Sequence, residues 1–120
     1  MGRALKAAAV FEAIFGVSFA VVPALIAELL LGKQVTGTPI LAARVIGVGL
    51  VALGIACWVR PTGIAPKLML AYNALATVGL LSLGVMGTAG VLLWPAFLVH
   101  AVLTILLVVE RRAASVESQA

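Results

Sequence analysis

An all-α integral membrane bundle of four helices with antiparallel neighbours is the fold this chain predicts, on three observations. Hydrophobic residues make up 64% of its 120 positions and charged residues only 10%, with a mean hydropathy of +1.27, far outside the range of soluble domains. The apolar residues fall into four runs, 5–31, 40–59, 68–86 and 91–109, separated by segments rich in Gly, Pro and Thr. Each run is long enough to cross a hydrocarbon core of about 30 Å, which takes about 20 helical residues. The runs are rich in Leu, Ala and Val and lack period-two alternation, so they read as helices rather than barrel strands. Inside lipid a helix satisfies its own backbone polar groups. Residues 1–112 form one domain, and the polar residues 113–120 read as a flexible tail.

The first run follows Arg3 and Lys6 and is too long for the apolar region of a leader peptide; it also holds Glu12 and Pro23, so it is expected to remain as a span kinked at Pro23. Glu12, Gly16, Phe19 and Pro23 recur at helical spacing and share a face. The second run opens just after Pro39. Its Arg44, Gly47, Val51, Gly54 and Trp58 likewise share a face, with small residues placed for close helix contact. The third run carries Tyr72-Asn73, and an asparagine there glues helices by hydrogen bonding. The fourth starts at an interfacial Trp94-Pro95 and carries His100, whose imidazole is expected to donate to a backbone carbonyl or to Thr104 one turn on. Cys57, the single cysteine, is expected to pack beside Trp58.

Basic residues orient the chain, because Lys and Arg accumulate on the cytoplasmic side. Arg3, Lys6, Arg60, Lys67, Arg111 and Arg112 fall on one side and only Lys33 lies in a loop on the other, so both ends of the chain are expected in the cytoplasm of a bacterial inner membrane. This bias accounts for most of the net charge of +4 through contact with anionic headgroups, and no nucleic-acid partner follows from it.

The residue inventory narrows the chemistry. There is no Asp, and one His, one Cys and four Glu cannot supply a metal cluster within one subunit. No phosphate-cradling glycine loop or nucleophile elbow is present, so a self-contained enzyme is not expected, and the sequence indicates no cofactor.

Depth can be ruled off at about 1.5 Å per residue from the nearest basic residue. Glu12 and Asn73 each lie six residues past a lysine and share a level, about 9 Å in; His100 is about 16 Å in and within reach of them. A carboxylate at such a depth must be paired or carry its proton, which makes Glu12, Asn73 and His100 the candidate ligand or proton site. Arg44 and Glu28 lie toward the opposite surface and are expected to form a structural ion pair.

The stretch from Arg44-Val45-Ile46-Gly47 through Leu53-Gly54-Ile55, followed by Tyr72-Asn73, Trp94-Pro95 and His100, resembles the short bacterial four-helix membrane proteins of the DoxX-like type. That resemblance implies a membrane subunit associated with quinone-linked redox complexes, and it transfers no site residue. The chain is also similar to the small multidrug resistance exporters, through Glu12 in the first helix and Arg60-Pro61-Thr62-Gly63-Ile64-Ala65 before the third. That likeness implies exchange of protons for a lipophilic cation at Glu12. The expected function is a non-catalytic subunit or small lipophile-binding protein with a buried polar site, in contact with the bilayer and with a membrane-protein partner or a second copy; proton-coupled export is the alternative.

Overall fold

A computed structural model describes all 120 residues as helices and short links. The elements are α1 (Arg3–Val21), α2 (Pro23–Leu31), α3 (Thr38–Val59), α4 (Ile64–Val85) and α5 (Leu93–Gln119). All but α2 are long and apolar enough to cross a membrane. Only 21 of the 120 residues are buried, while many Val, Leu and Ile side chains cover the outside. In water that surface would be untenable; against lipid tails it is solvated.

The first run is two helices rather than one kinked span. Val22 takes up φ −127° and ψ 57°, outside the helical region, and Pro23 opens α2. A proline has no amide hydrogen to continue the ladder and disfavours helical backbone in the residue before it. Ser18 loosens the preceding turn by donating to the Ile14 carbonyl at 3.0 Å. At the other end, Gly32 stops α2 in the left-handed conformation, at φ 72°.

α4 and α5 begin at Ile64 and Leu93, with Pro66 and Pro95 in their first turns, where a missing amide hydrogen is harmless. The tail expected to fray instead continues α5 to Gln119. Its Ala, Glu and Gln residues are strong helix formers.

α1 packs chiefly on α3 and α4 on α5, and contact between the two pairs is thinner. The α1–α3 seam is built on glycine: a Cβ placed on Gly16 would lie 2.6 Å from the Gly47 carbonyl oxygen, and one on Gly54 2.7 Å from that of Ala9. The buried stripe of α3 is Ala43, Gly47, Leu50, Gly54 and Cys57. Arg44 and Trp58, which the spacing placed on this face, are exposed. The two glycines define the stripe, and the larger flanking side chains rotate out of a seam too narrow for them. In α5 the stripe is Leu93, Ala96, His100, Leu103 and Leu107, alternating three and four residues as in a helix–helix seam.

Glu110 ties the ends of the molecule together. Its two carboxylate oxygens accept the Ala4 and Leu5 amide hydrogens at 3.1 and 3.2 Å, satisfying free donors in the first turn of α1. At the opposite end, Gly90 and Leu92 donate to the Leu30 and Leu29 carbonyls at 2.8 and 2.9 Å. Glu110→Ala is expected to cost about 1 kcal/mol, as for other lost helix caps. Hydrogen exchange would check this: the Ala4 and Leu5 amides should lose protection while the middle of α1 keeps it.

Candidate functional site

Three polar side chains are buried, and they are Glu12 (0% exposed), Asn73 (0%) and His100 (2%). Each sits on the inward stripe of its own helix, α1, α4 and α5, at a level where those helices converge. Asn73 organises the group. Its Nδ2 donates to the Met69 carbonyl at 3.0 Å, one turn back along α4, and lies 3.4 Å from the Met69 sulfur. A carbonyl can only accept, so the amide orientation is determined and Oδ1 faces His100, 3.0 Å from Nδ1. Since Oδ1 is also only an acceptor, His100 must carry a proton on Nδ1.

Glu12 Oε1 lies 3.3 Å from the same His100 nitrogen, yet neither oxygen of Glu12 has a hydrogen-bond partner. The Nδ1 hydrogen is directed at Asn73, so the glutamate contact is close but poorly aligned. Asn73 and Tyr72 also face the carboxylate without satisfying it. His100 does not bond Thr104 through its ring, as the sequence suggested: the Thr104 hydroxyl donates to the His100 backbone carbonyl at 2.7 Å, leaving the imidazole for the cluster. Thr77 bonds the Asn73 carbonyl in the same manner.

Aromatic rings wall this group. Phe11 and Tyr72 meet the His100 ring edge-on, with centroids 5.6 and 5.7 Å away, and Phe11, Phe15 and Phe19 form a ladder along α1. The sequence reading took only Phe19 from this ladder; the four-residue spacing of all three was the available signal. Beyond the ladder, where the two helix pairs diverge, lies a cleft of about 480 Å³ lined by Phe15, Phe19, Tyr72, Leu80, Leu83 and His100 among others. A second hollow of about 660 Å³, between the C-terminal end of α3 and the start of α4, contains no buried polar group.

Glu28 and Arg44 do not form the expected ion pair. Both are exposed, and Glu12 with His100 is the only acid–base contact of the molecule. The break at Val22 resets the helical phase of α2, so the direction of Glu28 does not follow from that of Glu12. Cys57 is fully buried and packs against the apolar cluster that includes Leu5, Met69 and Leu103.

No protein-family model matches the chain, and no characterised protein or solved structure does either.

Proposed function

We propose that this chain is a multi-pass protein of the bacterial inner membrane that holds a small lipophilic molecule between its two helix pairs, alone or as a subunit of a membrane complex, with no catalysis of its own. The observation that carries this reading is the cleft of about 480 Å³, within the usual range for small-molecule sites, with a histidine on its wall and an amide and a carboxylate behind it. Burying polar groups among lipid-facing helices is costly, and such groups are the customary mark of a ligand or proton site. A subunit role accords with the resemblance to the DoxX-like type.

Within this reading the four long helices form a bundle with antiparallel neighbours and both ends in the cytoplasm. Support comes from the seam register, in which Ala9 faces Gly54 and Gly16 faces Gly47, and from the Glu110 contact, which gathers Arg3, Lys6, Arg111 and Arg112 at one end. Cysteine labelling checks the orientation, with the buried Cys57 contributing little background. Thr36→Cys is expected to react with a membrane-impermeant maleimide on intact cells, and Thr62→Cys only after the cells are opened. The reverse pattern overturns the orientation.

Proton-coupled export remains the second reading, because a glutamate in the first span has neither oxygen hydrogen-bonded. Glu12 does not line the cleft, however, and export requires it to meet the cation. Glu12→Gln abolishes pH-driven cation transport if the exporter reading holds.

Native mass spectrometry of protein extracted gently from its host membrane tests the first reading. An apolar adduct at one per chain is expected, and Gly79→Phe should lose it: Gly79 lines the cleft and a Cβ there meets nothing within 4 Å, so a large side chain enters the space without disturbing a neighbour. Bare wild-type protein, or an adduct that survives Gly79→Phe, overturns it.

A further inference from the structure

We infer that the cleft selects lipophiles that carry a hydroxyl, phenolic or alcoholic, and binds that hydroxyl as a donor to Nε2 of His100. The inference rests on the lipophile-holding role proposed above and specifies its ligand.

The selectivity follows from a chain of single-valued hydrogen bonds. The Met69 carbonyl can only accept, which turns the Asn73 amide so that Oδ1 faces the ring. Oδ1 can only accept, which puts the imidazole proton on Nδ1. In the neutral ring the other nitrogen is then a lone-pair acceptor. Nε2 makes no hydrogen bond within the protein, and it is not among the sealed, unpartnered atoms, which are the two Glu12 oxygens alone. Since His100 lines the cleft and its Nδ1 side is turned to Asn73 and Glu12, the free nitrogen is the polar feature that this wall offers.

Apart from the Tyr72 hydroxyl, which is turned to the Glu12 carboxylate, the remaining walls supply no competing donor or acceptor for a buried head group near His100. Phe15, Phe19 and Ile46 face Ala76, Leu80 and Leu83, and Ser82 spends its hydroxyl on the Val78 carbonyl at 2.8 Å. A ligand head with a donor therefore gains a bond at Nε2. A head with acceptors alone, such as an ether or a ketone, sets a lone pair against a lone pair, and a pure hydrocarbon leaves the nitrogen unpaired. Rings in the ligand body suit the phenylalanine ladder, whose members sit 5.2 to 5.6 Å apart.

The chain has one histidine, so nitrogen-15 labelling of that residue reads the ring without overlap. The measurement uses the full chain in lipid bilayers with three probes: para-hexylphenol, para-hexylanisole, which is one methyl larger, and hexylbenzene, which is one oxygen smaller. Expected is a ligand-free ring with its proton on Nδ1, an Nε2 resonance that moves on adding hexylphenol, and hexylphenol preferred over both analogues by roughly two- to tenfold, the equivalent of one net hydrogen bond. A proton on Nε2 in the free protein, or analogues that compete as well as the phenol, overturns the hydroxyl inference and leaves the lipophile site standing. If none of the three perturbs the wild-type protein, or Gly79→Phe responds as the wild type does, the cleft itself is not a binding site and both readings fall.

Discussion

Replacing Gly47 with valine is expected to cost about 3 kcal/mol, at the top of the range for forced overpacking, and to separate α1 from α3. A Cβ at Gly47 would lie 2.5 Å from the Gly16 carbonyl oxygen, 2.7 Å from the Ala20 nitrogen and 2.8 Å from the Phe19 Cβ. Two of those atoms are backbone and the third is fixed to it, so no side-chain rotation relieves the clash. The helices must move apart, and in lipid no hydrophobic force pulls them back together: close van der Waals contact is what associates them. The internal control is Gly49→Val on the same helix, where a Cβ meets nothing within 4 Å and the cost should stay within about 0.5 kcal/mol. Reversible unfolding in bicelles checks the pair. Equal stabilities for the two variants would remove glycine contact as the basis of the α1–α3 seam.

What could be read from the residues divides along a physical line. Hydropathy and punctuation locate spans because they report compatibility with lipid, and all four long apolar helices are where those signals lie. Counting helical rise from Lys6, Lys67 and Arg111 sets depth, and it brought Glu12, Asn73 and His100 to levels within reach of one another; the structure places the three in contact. Depth is not azimuth. Arg44 and Glu28 share a level by the same ruler, yet they do not meet, because their directions depend on a backbone break at Val22 and on which flank of a glycine stripe turns inward. Glu110 was invisible for another reason. It caps α1 from more than a hundred residues away, and such a contact leaves no local pattern. The orientation of the Asn73 amide, on which the proton position of His100 depends, is likewise a property of packed atoms rather than of residue spacing.

Making the polar cluster wholly apolar is expected to leave the protein at least as stable as the wild type, while each partial removal destabilises it. His100→Leu leaves the Asn73 Oδ1 without its donor and Glu12 with no polar contact from α5, at a cost of about 1–2 kcal/mol. Asn73→Leu strands the Nδ1 hydrogen of His100 at a similar cost, although the Met69 carbonyl keeps its place in the helix. When Glu12, Asn73 and His100 all become leucine, no buried group is orphaned, and leucines on three converging stripes regain packing. The stabilities should therefore be strongly non-additive, with the triple variant far less affected than the sum of its singles. Retention of the apolar adduct separates the meanings. A stable triple variant that no longer holds the lipophile shows that the cluster is kept for the ligand, at some expense to folding. A triple variant destabilised by the full sum shows instead that Glu12, Asn73 and His100 act as a structural clasp between α1, α4 and α5, and the binding role would then have to be sought elsewhere in the cleft.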